Sequence, residues 1–303
     1  LKASEFISVP DTASIHKYLK HEFDLLGSGL VCRNSVKEIK FNKEHQLFYD
    51  KVSKLISTDY EYIDWQLDVR SGFSFDVKKQ FNNQSIDHSK NVDIKNCWEL
   101  GRLQHLPQIA ISALKTANSE DLIIEFKNQV LDFIVSNPIG MGVQWTCAMD
   151  VGIRVSNMLV GFDIIKQADS QNNLDEEFLS ILTDNIYQHG LFLWNNLESK
   201  EGAAGNHYLF NLVGLLFVTN YLSESEEIIV WRDFAENEIE IEFQKQFFRD
   251  GGNFEGSTTY HCLSSEAILY STALLIRNNK KLSNEYLELL GNAFHFIKDV
   301  IKP

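Results

Sequence analysis

The feature that most constrains the fold is a succession of long helical stretches that fills the chain from Cys97 onward. Apolar residues recur there at intervals of three and four, which is the spacing of a helix with a buried face. The predicted helices cover 97–117, 119–136, 145–168, 174–199, 206–222, 226–249, 258–277 and 283–301. Short connections rich in Gly and Asn separate them, and the chain contains only four prolines. Long helices joined by short loops pack antiparallel, so the pattern predicts an all-α fold.

The number of helices and their order predict a ring. Seven or eight antiparallel helices after an irregular arm are typical of an incomplete α/α toroid of antiparallel helix pairs. No repeated sequence motif occurs, which excludes a solenoid of near-identical units. We expect 1–96 to form an N-terminal arm with the first helices of the toroid, and 97–303 to form its body, within one domain overall. In the arm, 42–58 has helical spacing, whereas 59–96 reads as irregular and aromatic.

Local signals add detail to the predicted helices. Ser119 and Ser283 precede apolar periodic stretches and are predicted N-caps. Pro107 is expected to kink the first helix. The cysteines stand far apart and form no C-x-x-C pair, which predicts four buried thiols. They are Cys32, Cys97, Cys147 and Cys262.

Charge and missing motifs exclude several classes of protein. The chain has 28 basic and 42 acidic residues, a net charge of −14, which is unfavourable for contacts with nucleic-acid phosphates. No run of 18 apolar residues occurs, so no membrane span is expected. The stretch 209–218 comes nearest but contains Asn211 and Gly214. The signature loops of nucleotide-binding proteins, α/β-hydrolases and zinc proteases are absent, so we expect no cofactor and no metal in this segment.

Two loop-to-helix junctions concentrate polar chemistry. The sequence EGAAGNHY occupies 201–208, and NFEGSTTYH occupies 253–261. At a helix start, free backbone N–H groups and the helix dipole favour anionic groups. There Asn206 would donate an amide hydrogen bond, and Tyr260, with a lowered pKa, would take a proton and return it. The structural alternatives are that Asn206 caps its helix and that Tyr260 is a core residue with a bonded hydroxyl.

Three residues outside these junctions are candidate substrate ligands. Arg102 and His105 share a broad helix side with Glu99, and the guanidinium fork of an arginine suits a carboxylate or a sulfate. Trp145 follows a Gly-containing loop, where its indole face could stack on a sugar ring. The structural alternative for the first group is a salt bridge between Glu99 and Arg102.

Five ordered stretches of the chain resemble the N-terminal domain of heparinase II/III-like polysaccharide lyases. They are FDLLGSG at 23–29, CWELGRLQHLP at 97–107, GVQWTCAMD at 142–150, GNHY at 205–208 and NFEGSTTYH at 253–261. The resemblance spans nearly the whole chain. It implies a bacterial protein with an α/α toroid followed by a C-terminal antiparallel β-sandwich. Such a protein is expected to cleave uronate-containing polysaccharide by β-elimination. Where members bind a metal, the metal lies in the C-terminal part.

The resemblance also implies roles for individual residues. In heparinase III-like members an Asn of the first junction neutralises the uronate carboxylate and a Tyr of the second transfers protons; the matching positions are Asn206 and Tyr260. From the residues themselves we add His207 to the catalytic set. The expected substrate-binding set is Arg102, His105, Trp145, Glu255 and His261.

The implied partners are an acidic polysaccharide and a C-terminal β-sandwich domain that would supply a further catalytic histidine beyond Pro303. This segment alone is therefore expected to turn over poorly. The implied location is the periplasm, with the cytoplasm as the alternative.

Two other functions stay open on the sequence. An inverting glycoside hydrolase would use two carboxylates, for instance Asp150 and Glu255, roughly 6.5–9.5 Å apart. A non-catalytic helical domain would bind carbohydrate without creating new chain ends. Asp150 also precedes Arg154 by four positions, which is the spacing of a structural ion pair on one helix face.

Overall fold

The computed structural model describes residues 10, 12–34, 41–85, 91–116, 119–199 and 204–300. Within these ranges the chain is predominantly helical, which confirms the predicted all-α class. A short antiparallel hairpin joins β1 (Glu22–Asp24) to β2 (Leu30–Cys32), with Phe23 opposite Val31. The helices are α1 (Thr12–Tyr18), α2 (Lys43–Val52), α3 (Lys95–Gly101), α4 (His105–Lys115), α5 (Glu120–Ser136), α6 (Ala148–Ile165), α7 (Glu176–Asn195), α8 (Asn206–Tyr221), α9 (Glu226–Gln246), α10 (Thr258–Arg277) and α11 (Asn284–Val300).

The helix predicted over 97–117 is two helices. α3 ends at Gly101 and α4 begins at His105, and between them Leu103 has a φ of 56°. A residue in this left-handed region cannot continue a right-handed helix, so the chain turns before α4. Pro107 then lies in the first turn of α4, where the missing N–H has no helical acceptor to lose. The predicted kink at Pro107 is therefore wrong.

The predicted N-caps have different outcomes. Ser283 Oγ accepts a hydrogen bond from the backbone N–H of Tyr286 at 3.0 Å, as a capping serine does. Ser119 is the N-cap residue of α5, as predicted, but its side chain makes no capping hydrogen bond. Ser257 caps α10 by accepting from the backbone N–H of Tyr260 at 3.4 Å. That cap places the tyrosine in the first turn of α10, as predicted.

All four cysteines lie among the described residues, and none forms a disulfide. Cys97 and Cys147 are buried, whereas Cys32 and Cys262 are exposed. The prediction of four buried thiols is wrong for those two. In the part of the chain that the structure describes, Cys32 ends the second strand of a two-stranded sheet, and Cys262 lies on the solvent side of α10.

Internal contacts divide the chain into two compact units. The first unit comprises Leu1–Asp150 and Asn157–Ile186, and the second comprises Val151–Ser156 and Tyr187–Pro303. The expected arm over 1–96 and body over 97–303 stay a prediction.

A buried carboxylate ties the irregular segment of the first unit to α5. Asp132 is fully buried and accepts hydrogen bonds from Tyr60 Oη (3.0 Å), Ile63 N (2.8 Å), Trp65 Nε1 (3.2 Å) and Ser136 Oγ (2.8 Å). Burial raises the pKa of this carboxyl to about 6, although the four donors oppose the shift. The aromatic residues of 59–96 therefore contribute to a core rather than to an open loop.

α8 is the central helix of the second unit and packs against α9 and α10. The backbone of α8 also lies close to the backbone of α6, which contains Gly152. A Cβ atom on Gly152 would lie 2.1 Å from the carbonyl oxygen of Phe210, and a Cβ on Gly214 would lie 2.7 Å from the Cα of Gly152. Only glycine permits this approach. Among the described helices, none combines the length and the apolar character that a membrane crossing requires.

Candidate active site

The first junction begins α8 at Gly205. Residues 200–203 of the loop lie outside the described residues, and Gly205 is the N-cap in an extended conformation. Its carbonyl accepts hydrogen bonds from Tyr208 N at 3.1 Å and from Gln246 Nε2 at 3.2 Å. A Cβ atom at Gly205 would lie 3.2 Å from Glu255 Oε1, so the small residue lets a carboxylate reach the helix end.

Asn206, the first residue of α8, is bound to the carboxylate of Glu255. Its backbone N–H donates to Glu255 Oε1 at 2.9 Å, and its Nδ2 lies 2.8 Å from Oε1 and 2.9 Å from Oε2. The Asn206 side chain therefore does not cap its own helix. Its contacts join the start of α8 to the loop that precedes α10, so both predicted junctions lie at one end of the second unit.

His207 lies on the outer side of the same turn. Its side chain is half-exposed, and Nδ1 lies 2.9 Å from Glu198 Oε1. Asn211, one of the polar interruptions of the apolar stretch 209–218, holds Glu198 in turn. Asn211 Nδ2 donates to Glu198 Oε2 at 3.1 Å, and Asn211 Oδ1 accepts from the Glu198 backbone N–H at 2.7 Å. The carboxylate thereby fixes the orientation of the imidazole.

Tyr208 completes this turn but faces inward. It is buried, and its hydroxyl donates to Glu238 Oε2 at 3.0 Å. Burial, the hydrogen bond and the charge of the glutamate raise the pKa of Tyr208 well above its ordinary value. This phenol stays protonated and is no candidate for a base.

Tyr260 lies in the second junction and faces solvent. Its side chain is on the first turn of α10 and the residue is 47% exposed. Gly256, with a φ of 65°, makes the turn that leads into the helix. The structural alternative of a core tyrosine does not apply, because the residue is open to solvent.

His261, the next residue, is turned into the protein. It is 2% exposed, and its ring packs against Phe247 and Phe296. Nδ1 accepts from Asn253 N at 3.2 Å, and Nε2 lies 3.1 Å from the carbonyl oxygen of Ala293. The tautomer that satisfies both contacts carries its hydrogen on Nε2. This burial counts against the predicted substrate-binding role of His261.

Arg102, in the first unit, is held by two carboxylates. Its Nε lies 2.6 Å from Asp150 Oδ1, and its Nη1 lies 2.9 Å from Glu99 Oε2. Burial lowers the pKa of the guanidinium, but the charges of Asp150 and Glu99 outweigh burial and raise it. The salt bridge between Glu99 and Arg102 is thus confirmed, and anion recognition by Arg102 stays a prediction.

His105 and Trp145 are buried in the first unit. His105 Nε2 lies 2.7 Å from Gln129 Oε1, and burial lowers the pKa of His105 to about 4. The imidazole is therefore neutral near pH 7 and offers no positive charge to an anion. Trp145 is fully buried, and its Nε1 donates to the carbonyl oxygen of Asn137 at 3.2 Å. Neither side chain is accessible to a sugar in this structure, which counts against both predicted substrate-binding roles.

The family described as Heparinase II/III N-terminus matches residues 26–303. Two curated relatives are heparin-sulfate lyases. The protein from Bacteroides stercoris is 21% identical in an alignment of 231 residues that covers 68% of this chain and 33% of that protein. The protein from Pedobacter heparinus is 23% identical in an alignment of 236 residues that covers 76% of this chain and 34% of that protein. The chain thus spans about a third of the length of these relatives.

Solved structures show the same fold at low identity. A mutant of the heparan sulfate lyase HepC from Pedobacter heparinus has a TM-score of 0.60 at 19% identity, over 97% of this chain and 39% of that chain. A Heparinase III structure has a TM-score of 0.54 at 18% identity, over 88% of this chain and 42% of that chain. The predicted α/α toroid fold is therefore confirmed. With the match over residues 26–303, this chain belongs to the Heparinase II/III N-terminus family.

Proposed function

We propose that this chain is the helical part of a polysaccharide lyase that cleaves uronate-containing polysaccharide by β-elimination. Family membership and the names of the two curated relatives, both heparin-sulfate lyases, support this class of reaction. The proposal includes a bacterial, periplasmic protein in which a further domain, a β-sandwich, completes the site.

The chemical problem is the weak acidity of the proton at C5 of a uronate. Removal of this proton adds charge to a group that already carries a carboxylate. Hydrogen-bond donors fixed at the carboxylate stabilise the enolate-like intermediate, because they are oriented before the charge develops. A positioned base must then reach the proton.

Asn206 is the donor in this proposal. Its amide nitrogen has two N–H bonds that diverge, whereas the two oxygens of the Glu255 carboxylate are close neighbours. We propose that one N–H bond serves both oxygens and that the other, on a residue that is 6% exposed, donates to the substrate carboxylate. His207, half-exposed and oriented by Glu198, adds a second polar group at the same turn.

Tyr260 is the base and acid. As phenolate it takes the C5 proton, and the phenol or a group from elsewhere in the intact protein protonates the leaving glycosidic oxygen. The observation that carries the proposal is that Tyr260 lies exposed on the first turn of α10, directly after the loop whose Glu255 binds Asn206.

The hydrolase alternative fits the side chains less well. Asp150 is buried and paired with Arg102 at 2.6 Å, and Glu255 is held by Asn206. A hydrolase needs carboxyl groups that reach a water molecule and the glycosidic oxygen, and both of these carboxylates are instead engaged by protein donors.

The test is the chemistry of the products. The intact gene product is incubated with heparan sulfate, alginate and other uronate polysaccharides, and new chain ends are analysed by ultraviolet absorbance and mass spectrometry. We expect unsaturated ends from the wild type, and a rate lowered by about 100- to 1,000-fold in Asn206→Ala, which lacks one donor to the developing charge. Saturated ends that contain added water would instead identify a hydrolase, and binding without new ends would identify a non-catalytic domain.

A further inference from the structure

The carboxylate of Glu255 connects two segments that carry the proposed catalytic groups. It accepts from both the backbone N–H and the side-chain amide of Asn206, so it fixes the rotation of that amide as well as its position. Hydrogen bonds to a charged acceptor are stronger than neutral ones, and this contact therefore orients the donor before any substrate arrives.

Glu255 is itself held by buried groups. Its backbone N–H donates to Asn253 Oδ1 at 3.0 Å, and the backbone N–H of Asn253 donates to His261 Nδ1 at 3.2 Å. The opposite ring nitrogen of His261 contacts the carbonyl oxygen of Ala293 in α11 at 3.1 Å. These hydrogen bonds, joined through the covalent structure of His261, Asn253 and Glu255, link α11 to the first residue of α8.

This series passes through the helix of the proposed base. His261 follows Tyr260 directly in α10, so the backbone that carries the buried imidazole is joined to the backbone of the tyrosine. Asn253 and His261 are both buried, which leaves them no role at the surface but suits them to hold a loop in one conformation.

We propose that Glu255 is a positioning residue, which couples the amide of Asn206 to the helix that carries Tyr260 and does not bind substrate. This inference rests on the proposed lyase function. A carboxylate is an unfavourable ligand for the uronate carboxylate because like charges repel, and the Glu255 oxygens already accept from Asn206. His261 acts in the same series, in place of the substrate contact predicted for it.

The effect on rate follows from geometry. Displacement of a group by about 1 Å lowers an enzymatic rate by about 100-fold. We therefore expect Glu255→Ala to lower kcat by about 100-fold, because the Asn206 amide would be displaced. KM should change little, because in this proposal other residues bind the substrate. Glu255→Gln keeps an oxygen that accepts from Asn206 Nδ2, so it should recover most of the lost kcat.

The experiment compares the wild type, Glu255→Ala and Glu255→Gln in the intact gene product. Glu266→Ala is the matched control, because Glu266 is an exposed glutamate of α10 that bonds only Tyr270 among the described residues. Initial rates of unsaturated-end formation give kcat and KM. Hydrogen exchange of the peptide over 204–210, measured without substrate, reports the order of the first turn of α8.

The outcomes separate the positioning role from the proposed function. Unchanged kcat in Glu255→Ala, a loss confined to KM, or a Glu255→Gln variant as impaired as Glu255→Ala would overturn the positioning role while lyase activity stands. If the wild type forms no unsaturated ends, the proposed function fails, and hydrogen exchange decides the positioning role. Faster exchange over 204–210 in Glu255→Ala than in Glu255→Gln supports it, and equal exchange in all variants overturns it.

Discussion

Replacement of Asn206 by aspartate reverses the contact at the start of α8. The two side chains have the same shape, but the substitution exchanges the Nδ2 donor for a carboxylate oxygen. That atom lies 2.8 and 2.9 Å from the two oxygens of Glu255. An attractive contact thus becomes a repulsive one with almost no change in volume.

The expected loss of stability follows from three contributions to the free energy of unfolding. Loss of a hydrogen bond to a charged group costs about 1.5–3 kcal/mol, and Asn206→Ala shares this loss. Two unit charges about 4 Å apart repel by ~1 kcal/mol in water and ~4 kcal/mol at the effective dielectric near a protein surface. An acidic side chain in the first turn of a helix recovers about 0.3–1 kcal/mol from the dipole. The middle of these ranges makes Asn206→Asp less stable than Asn206→Ala by ~2 kcal/mol, and the upper end by ~4 kcal/mol.

The assay is hydrogen exchange of α8 amides as a function of urea, which gives the opening free energy of this part of the protein. The wild type should be most stable, Asn206→Ala intermediate and Asn206→Asp least stable at neutral pH. Added salt should narrow the gap between the two variants, since it screens partly exposed charges. An aspartate variant as stable as the alanine variant would refute the contact between residues 206 and 255.

Two further predictions concern stability. Burial lowers the pKa of His21, but its hydrogen bond to Glu125 and that group's charge raise it more, so the net shift is upward. The stabilisation of the protein by the contact between His21 and Glu125 is therefore complete below the ordinary histidine pKa of 6.5 and is lost as pH rises through the pKa of the folded state. His21→Gln should thus lower the urea midpoint more near pH 6 than near pH 9. An equal effect at both pH values would contradict the raised pKa of His21. Gly152→Ala should lower the free energy of unfolding by ~1–3 kcal/mol or more, because the added Cβ would lie 2.1 Å from the carbonyl oxygen of Phe210. The control Gly291→Ala, with nothing within 4 Å of its Cβ, should leave the melting temperature unchanged or raise it, and similar losses in both variants would argue against the close helix contact.

Much of the fold was readable from local pattern. Apolar periodicity places long helices correctly because each helix in such a fold buries one face or more. The break at Leu103 was not readable, since no glycine marks its left-handed conformation in the sequence. The exposure of Cys32 and Cys262 was missed for a related reason, because composition does not tell which side of an element faces solvent.

The candidate site was readable as two junctions but not as a set of contacts. The polar residues after Gly205 and before Tyr260 indicated chemistry at helix starts. The partnership of Asn206 with Glu255 joins residues 49 positions apart, and no local pattern predicts it. The burial of His105 and Trp145 likewise depends on how helices and turns pack. The sequence did mark Asn211, because it is a polar residue within the apolar stretch 209–218. In the structure its side chain holds Glu198.

The most direct test of the central claim is the initial rate at which Tyr260→Phe forms unsaturated ends from a uronate polysaccharide that the wild type cleaves. Tyr270→Phe is the control, because Tyr270 is an exposed tyrosine of the same helix that bonds Glu266. We expect the rate of Tyr260→Phe to fall by about 100- to 10,000-fold, as for loss of a proton-transfer group, with an unchanged melting temperature and a Tyr270→Phe control close to the wild type. A Tyr260→Phe protein that releases unsaturated ends at the rate of the control would show that another group removes the proton.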